Sequence, residues 1–280
     1  MIQNTLVVGF GQIGHAIAKI DKDHGIHVEI VDPILNLDAD DRIEYDIVHI
    51  CFPFKDVSQF VQWIAIIEKQ FHFKDLIIAS TIPPFILSSI RFNYDRHCYM
   101  HAPVRGTHPE IEAGLYKYPR MVAPIIPDQI DQANTLAKSY FNQIGMLYIL
   151  MHCADETSLG KLMSTTWYAM LIAFVNQFQQ ICDWYHVDFA QSYDEWNLTD
   201  DIGRVYFKTD LNDNEGARKM SPDRIFRPTM KPGAIGGHCL MPNLALLKEY
   251  AGMVPGLMDF IQWIEHTNRY MQNREEKKHD

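Results

Sequence analysis

The chain has 280 residues, of which 47% are hydrophobic, so it is long enough for one large domain or two ordinary domains. Its formal net charge of -10 argues against a general nucleic-acid binder or an anionic-membrane binder, because either role needs a positive surface. No apolar run approaches the ~20 residues of a membrane-spanning helix, and the N-terminus shows no secretion signal. Five cysteines, odd in number and widely spaced, predict reduced thiols in a cytoplasmic protein.

The first 32 residues have the order strand, glycine turn, helix, strand. An apolar strand at 5–8 runs into a G-x-G-x-x-G motif, a helix follows to about residue 23, and a strand at 27–31 ends in Asp32. The motif predicts a dinucleotide site, because Gly9 permits a tight turn, Gly11 lets the backbone approach a pyrophosphate and Gly14 allows close helix packing. Asp32 can bond both ribose hydroxyls and repel a 2′-phosphate, which favours NAD over NADP. The predicted cofactor contacts here are Gly9, Phe10, Gly11, Gln12, Ile13, Gly14 and Asp32.

Two further strands are predicted at 46–51 and 76–79, with a helix at 57–70 between them. Ligands of open parallel sheets bind outside the carboxyl ends of the strands. The residues after these two strands should therefore face the same crevice as the glycine turn, and they are Phe52, Pro53, Ser80 and Thr81. Thr81 also precedes two prolines, a position that is equally typical of a helix cap.

A loop after a predicted strand near Tyr99 carries two ionisable side chains, Arg105 and His108. Its position at a strand end makes both of them candidates to bind an anionic substrate. Arg105 is equally able to pair with a surface carboxylate. A further strand, helix and strand over 121–150 complete the first domain. The sequence thus predicts an α/β fold, in which residues 1–150 form an NAD-binding domain with a Rossmann-type doubly wound parallel sheet.

The second domain, residues 151–280, is predicted to be mainly α-helical. It opens with a long helix at 154–185, in which Lys161 and Thr165 lie one turn apart on an otherwise apolar face. A lysine in this position either snorkels to the edge of the core or points its amine at a substrate.

A glycine-rich segment near the C-terminus, Pro232-Gly233-Ala234-Ile235-Gly236-Gly237-His238-Cys239, delivers one thiol just ahead of an apolar run that looks helical. A thiol near a helix N-terminus ionises more easily, because the exposed N–H groups favour negative charge. The alternative is a buried free cysteine beside a glycine turn. Arg224, Arg227 and Lys231 precede the segment, and such a local basic cluster suits a phosphate or carboxylate substrate.

The remainder of the second domain carries weaker patterns. Residues 194–215 are polar and predicted to be loop-rich. A last helix at about 256–270 precedes a charged tail at 274–280 that is predicted to fray. No metal site is predicted, because C-x-x-C spacing is lacking in the pairs His97-Cys98, His152-Cys153 and His238-Cys239.

These motifs together resemble the UDP-glucose/GDP-mannose dehydrogenase family. The matching pieces follow the family's order over about residues 1–270: VVGFGQIG with Asp32, IVHICFPF, ASTIPP, LGKLMST, AFVNQ and PGAIGGHC. The G-G-H-C element is the specific one, whereas many unrelated folds share the glycine fingerprint. The segment HAPVRGTHPEIEAGL is also similar to the substrate loop of the β-hydroxyacid dehydrogenases, relatives with the same two-domain core and an equivalent catalytic lysine.

The resemblance implies an NAD-dependent dehydrogenase that oxidises an alcohol of a sugar-like or nucleotide-sugar-like anion. In that family a cysteine captures the aldehyde as a thiohemiacetal, and a second hydride transfer gives a thioester that water cleaves. By resemblance, Cys239 is the nucleophile, Lys161 stabilises the developing oxyanion and Thr81 holds the catalytic water. Thr165 and Asn243 complete the predicted catalytic set. The predicted substrate contacts are Arg105, His108, Lys161, Arg227, Gly236, Gly237 and His238.

The chain departs from the family at three points. Thr165 replaces the usual asparagine and Asn243 the usual aspartate, and an amide cannot accept a proton from the water that cleaves a thioester. The family also continues into a third domain that grips the nucleotide, so a smaller substrate or a partner surface is expected here. Two alternatives therefore stay open. One is a single-step hydroxyacid dehydrogenase with Lys161 as acid/base; the other is an NAD-binding regulatory protein without turnover.

The expected partners are an anionic small molecule and a second copy of the chain. Two-domain enzymes of this shape dimerise through the long helix of the second domain, and residues 162–181 have the apolar content for it. Neither a nucleic-acid partner nor a membrane partner is expected.

Overall fold

The structure is a computed structural model that describes residues 1–89, 97–106, 110–208, 230–236 and 239–276. Over residues 200–208 only the helical backbone is described. The chain divides into two compact units, Met1–Ser164 and Thr165–Asp280, and the division falls inside the helix Ala154–Tyr185.

The first unit contains a seven-stranded sheet with the order β2-β1-β3-β4-β5-β6-β7. All neighbouring strands pair in parallel except β5 and β6, which are antiparallel. The predicted fold class is confirmed, and the sheet is mixed rather than wholly parallel, as is common among doubly wound folds. The strands are β1 (Asn4–Val8), β2 (His27–Val31), β3 (Glu44–Ile50), β4 (His72–Ile78), β5 (Cys98–His101), β6 (Arg120–Pro124) and β7 (Tyr148–Leu150).

The central strands are buried on both faces, because alternate side chains enter two separate cores. Leu6, Val48 and Leu76 lie in register and belong to one hydrophobic cluster. Val7 and Ile77 belong to the cluster on the other face, with His49 between them in the same register row. A histidine therefore occupies a position that the pattern reserves for an apolar side chain.

Helices connect these strands. The long helix α2 begins after Asp56, whose side chain accepts a hydrogen bond from the backbone N–H of Gln59 at 2.8 Å, as an N-cap should. The helices of this unit are α1 (Gln12–Asp23), α2 (Val57–Gln70), α3 (Ile86–Ser89), α4 (Ile111–Lys117) and α5 (Ile130–Gln143).

The second unit is helical in its described residues. It contains most of α6 (Ala154–Tyr185), followed by α7 (Phe189–Lys208), α8 (Leu240–Lys248) and α9 (Leu257–Glu276). Ala173, Ile235, Leu244, Ile261 and Ile264 are among the residues that form its hydrophobic core. Within the described ranges, no helix combines the length and the apolarity that crossing a bilayer requires.

Two predictions about this unit are wrong. Residues 194–208, expected to be loop-rich, continue the helix α7, which begins after Asp188. The Asp188 carboxylate accepts the Gln191 N–H at 2.8 Å, and the segment lacks proline, so a good cap and an unbroken run outweigh its polarity. The last helix continues to Glu276 rather than ending near Tyr270, because side chains of its final turns bond to the rest of the unit.

Candidate functional site

The carboxyl ends of five neighbouring strands lie side by side at one edge of the sheet. The terminal residues are in register with one another, and they are Val8, Val31, Ile50, Ile78 and His101. The backbone pairing extends one residue further, since the Gly9 N–H donates to the Val31 carbonyl and the Cys51 N–H to the Val8 carbonyl, both at 2.8 Å. The loops that carry the predicted cofactor contacts therefore leave the sheet from a common edge, where ligands of such sheets bind.

The glycine turn has a separate steric reason for two of its glycines. Gly9 has φ +92°, and a β-carbon on it would lie 2.7 Å from the backbone nitrogen of Phe52. A β-carbon on Gly14 would lie 2.0 Å from the carbonyl oxygen of Gly9, so α1 packs directly on the turn. Gly11 has no atom within 4 Å of such a β-carbon. Gly11 is thus not needed for packing within the described residues, and it leaves open space beside the turn.

The N-terminus of α1 opens into this space. Gly11 is the N-cap in an extended conformation, no side chain caps the helix, and no acidic residue lies in its first turn. The first N–H groups of a helix have no intrahelical partners and attract anions. A pyrophosphate fits this arrangement, since the open face of Gly11 lets it approach the backbone closely.

Asp32 holds the other side of the turn. Its Oδ2 accepts the N–H of Phe10 at 2.7 Å, and its Oδ1 accepts those of Ile34 at 2.9 Å and Leu35 at 3.2 Å. A carboxylate has about four acceptor positions, and among the described residues Oδ2 uses one of its two, so a ribose hydroxyl fits the other. Asp32 is only 9% exposed, and its role in shaping the turn was not apparent from the motif.

The strand ends beside the turn are joined by Ser80. Its hydroxyl donates to the carbonyl oxygen of Phe52 at 2.5 Å, and the side chain is 3% exposed. The Ser80 side chain therefore serves the protein itself rather than pointing outward. Thr81 is half-buried and Pro53 is exposed at the same edge.

Arg105 and Gly106, which follow β5, are held by packing. The Arg105 guanidinium lies 5.1 Å from the centre of the Tyr118 ring, which is a cation–π contact. A β-carbon on Gly114 would approach Gly106 to 2.5 Å, so α4 presses on this loop. His108 lies outside the described residues, as do Arg227, Gly237 and His238.

In the second unit, side chains bind the backbone of the glycine-rich segment as a neighbouring strand would. Asn176 of α6 donates to the Gly233 carbonyl and accepts the Gly233 N–H, both at 2.9 Å. The Ile235 N–H donates to Asn268 Oδ1 at 2.6 Å, and the Ala234 N–H to Glu275 Oε1 at 2.9 Å. Asn268 and Glu275 were not anticipated from the sequence, because their partners lie 33 and 41 residues away.

Beyond this segment, Cys239 is the N-cap of α8 and is half-buried, while Gly236 is exposed. Asn243, one helical turn after Cys239, is 6% exposed, and its Nδ2 donates to Oγ1 of Thr165 at 3.2 Å. The two residues that depart from the family pattern are therefore in direct contact. The pair is uncharged and cannot act as a carboxylate base.

Lys161 is half-buried in α6, one turn before Thr165. The first unit thus gathers the predicted cofactor residues, and the second gathers Cys239, Asn243 and Thr165. That Lys161 and Cys239 converge on one substrate stays a prediction.

A group of ionisable side chains that the sequence analysis missed lies in the core between α1, α5 and the sheet. Asp21 accepts hydrogen bonds from Thr5 and Tyr140, each at 2.8 Å, and burial raises its pKa to about 6. His49 Nε2 lies 3.6 Å from Asp21 Oδ2, but complete burial lowers the His49 pKa to about 3, so the imidazole is neutral. Arg120 donates a hydrogen bond to the Ala102 carbonyl. Together with His49 and Tyr140, it lines a cavity of about 10 Å³, which has room for one water molecule.

These groups predict opposing effects of pH on stability. Burial lowers the pKa of His49 to about 3 and of His101 to about 4. The contribution of both histidines to stability is therefore complete above pH 6.5, the ordinary histidine pKa, and it is lost as pH falls toward these lowered values. Asp21, whose pKa is raised to about 6, acts in the opposite direction. Its contribution to stability is complete below pH 3.8, the ordinary aspartate pKa, and it is lost as pH rises through about 6. Each contributes up to about 1.4 kcal/mol per pH unit, and the two histidines outweigh Asp21.

Replacing Asp21 by asparagine should therefore steepen the loss of unfolding free energy between pH 6 and pH 4. Urea unfolding at half-unit pH steps would measure the slope. Asp23→Asn, which changes an exposed carboxylate of the same helix, is the control. Equal slopes for Asp21→Asn and the parent protein would contradict the assignment.

Within the described ranges, no three histidine, cysteine, aspartate or glutamate side chains are grouped to hold a metal ion. All five cysteines are free thiols.

Comparison with solved structures shows which proteins share this fold. A UDP-D-ManNAc dehydrogenase from Pyrococcus horikoshii matches 96% of this chain and 69% of its own length, with 18% identity and a TM-score of 0.69. A UDP-glucose dehydrogenase from Pyrobaculum islandicum matches 96% and 68%, with 13% identity and a TM-score of 0.71. A 3-hydroxyisobutyrate dehydrogenase from Mycobacterium tuberculosis matches 98% and 94%, with 13% identity and a TM-score of 0.63.

No protein-family profile and no curated protein sequence matches the chain. The likeness is thus one of fold, and it covers both the sheet and the helices that follow it. The chain has the fold that UDP-sugar dehydrogenases and 3-hydroxyacid dehydrogenases share.

Proposed function

We propose that this protein is an NAD-dependent oxidoreductase that oxidises an alcohol of a small anionic, sugar-like substrate. The observation that carries the proposal is the glycine turn, in which Gly9 and Gly14 are sterically required and Gly11 leaves its backbone open. Asp32, with one acceptor position left on Oδ2, supports NAD over NADP, because a 2′-phosphate would meet its negative charge. The dehydrogenases that share the fold add support.

The chain's own groups suggest how the reaction proceeds. NAD, when bound, supplies the hydride acceptor. The α1 N-terminus would hold the pyrophosphate, and the Lys161 ammonium would stabilise the negative oxygen that develops as the alcohol is oxidised. The Cys239 thiolate would then add to the aldehyde carbon, and the resulting thiohemiacetal would become a thioester by losing a second hydride, for which a second molecule of NAD is the acceptor. Water cleaves the thioester, which releases the acid and restores the thiol.

The last step is where this chain should be slow. Asn243 and Thr165 bond each other, and neither side chain takes up a proton at neutral pH. Since this pair supplies no carboxylate base, water attack should lose the roughly 10²- to 10⁴-fold acceleration that such a base provides. We therefore expect aldehyde or enzyme-bound thioester to accumulate before the acid appears.

Substituting Cys239 by serine tests the covalent route. We expect Cys239→Ser to release aldehyde but form no acid, since a hydroxyl is a far weaker nucleophile than a thiolate. Reduction of NAD to NADH or of NADP to NADPH, measured with a panel of phosphorylated and carboxylated alcohols and followed by product analysis, would measure both steps. Cys153→Ser, at a half-buried thiol before α6, is the control and should behave as the parent protein.

Nearly unchanged turnover by Cys239→Ser, with a carbonyl compound as the final product, would favour the second candidate, a single-step hydroxyacid dehydrogenase in which Lys161 is the acid/base. The specific observation for it is the match to the 3-hydroxyisobutyrate dehydrogenase, which extends over 94% of that chain. NADH binding without turnover on any alcohol would instead indicate a regulatory dinucleotide-binding protein.

We further propose that the protein is a homodimer that forms through α6, in a reducing, cytoplasmic setting that suits its free thiols. One side of α6 presents large apolar side chains at helical spacing, including Trp167 at 51% exposure and Trp184 at 80%. Phe174, Phe178 and Ile181 continue this exposed surface between them. Exposed apolar patches of this kind mark protein–protein contacts.

Trp184→Asp is expected to convert the dimer to monomer, because it places a charge in the proposed apolar contact. Light scattering coupled to size exclusion would measure the molar mass. Trp63→Asp, on α2 of the first unit, is the control and should leave the mass unchanged. A parent protein that elutes as monomer would refute the dimer.

A further inference from the structure

We propose that His101 is a positioning residue that aligns the two segments carrying Thr81 and Lys161. The proposal rests on the proposed function for the roles of those two residues, and on observed contacts for everything else. His101 is the last residue of β5, is 0% exposed and pairs with Ile78 of β4 on one side and Ala123 of β6 on the other. Its imidazole is enclosed at the sheet edge from which the site loops leave.

Each ring nitrogen of His101 contacts a different segment of the first unit. Nε2 lies 3.0 Å from the carbonyl oxygen of Ser80, which can only accept, so Nε2 carries the proton. Nδ1 lies 2.6 Å from Oγ1 of Thr157 in the first turns of α6. The Thr157 hydroxyl also lies 2.8 Å from the Ala154 carbonyl, and its single proton serves one of these two acceptors at a time.

These two contacts reach the neighbours of predicted catalytic residues. Ser80 immediately precedes Thr81, and Thr157 lies four residues before Lys161, so Thr157 and Lys161 share one face of α6. A second bond joins the same two segments, since the Phe85 N–H donates to Oδ1 of Asp155 at 2.6 Å. The strand end and the helix start are thus coupled by hydrogen bonds rather than by apolar contact alone.

His101 itself is not placed to exchange protons with a substrate. Complete burial lowers its pKa to about 4, and the nearby positive charge of Arg120 on β6 acts in the same direction. The imidazole is therefore neutral at neutral pH and acts through fixed hydrogen bonds. Loss of either bond should let α6 shift against the strand end, and misplacement of about 1 Å can cost ~10²-fold in rate.

The test uses two variants of the full-length protein, one that removes the contact with Thr157 and one that removes both contacts of His101. Thr157→Val keeps the shape but loses the hydroxyl, and His101→Leu loses both ring nitrogens. We expect each to lower kcat by roughly 10- to 100-fold, with KM and the NADH Kd changed by less than about threefold. Thr157→Ser restores the hydroxyl and should restore kcat. Met100→Leu, a buried apolar change in the same strand, should leave kcat unchanged.

Hydrogen–deuterium exchange provides a readout that does not depend on turnover. We expect the amides of residues 154–162 to exchange faster in Thr157→Val and His101→Leu, and to exchange at the parent rate in Thr157→Ser and Met100→Leu. Exchange that is unchanged, or that rises uniformly along the chain, would overturn the proposal. So would a parent kcat in the well-folded Thr157→Val variant. If the parent protein oxidises no alcohol, the proposed function fails, and the exchange data alone decide the role of His101.

Discussion

Replacing Lys161 by methionine is expected to lower kcat by roughly 10²- to 10⁴-fold, the range that loss of an oxyanion partner or of a general acid/base produces. Methionine keeps most of the apolar stem and removes the charge, so α6 should keep its fold. KM should change little if the ammonium acts mainly in the transition state, because only differential binding of that state affects kcat. Steady-state rates and a pH–rate profile would measure the loss.

The Lys161→Met result needs a partner experiment that separates chemistry from nucleotide binding. NADH affinity, measured by fluorescence titration, should stay within about twofold of the parent protein, because a change of less than ~0.5 kcal/mol is typical of a site that is not contacted. Lys138→Met, at an exposed position of α5, should change neither rate nor affinity. A Lys161→Met variant with parent kcat would remove the lysine from the mechanism on both enzyme readings.

The second large effect is expected at the glycine turn, where two alanine substitutions should separate folding from binding. Gly14→Ala places a β-carbon 2.0 Å from the Gly9 carbonyl oxygen, so α1 must move away from the turn. We expect a loss of roughly 3 kcal/mol in unfolding free energy, at the upper end for overpacking. Gly11→Ala meets no atom within 4 Å, so its stability should change by less than ~1 kcal/mol, yet it should abolish NADH binding.

Urea unfolding and NADH titration on the same preparations would measure both halves of this prediction. Gly160→Ala is the matched control, because that glycine lies within α6 with no atom near its β-carbon position. It should be stabilised by about 0.5–1 kcal/mol and bind NADH normally. Normal nucleotide binding by Gly11→Ala would show that no pyrophosphate approaches the turn, and the proposed function would lose its main support.

Local patterns in the sequence predicted much of the fold, because the relevant information lies within a few residues. The helices at 57–70 and 154–185 begin and end where expected, and the strand at 27–31 does too. The steric arrangement of Gly9 and Gly14 is the one that the motif requires. Such elements are set by apolar periodicity, caps and glycine turns, all of which are local.

Features that depend on distant partners were not predictable in this way. The direction of β6 depends on how the chain returns to the sheet after β5, which periodicity does not encode. The bonds of Asn268 and Glu275 to the glycine-rich segment, and of Asp32 to Phe10, require the fold to be known first. Polarity alone misassigned 194–208, because a charged helix on a surface has nearly the composition of a loop.

The bonds to the glycine-rich segment have a consequence for the evolution of this protein. Asn176, Asn268 and Glu275, which lie on α6 and α9, fix the backbone from Gly233 to Ile235, four residues before the sulfur of Cys239. Two helices, α6 and α9, therefore hold the backbone that leads toward the thiol. Either asparagine should therefore resist replacement during divergence, even by aspartate, which cannot donate to a carbonyl.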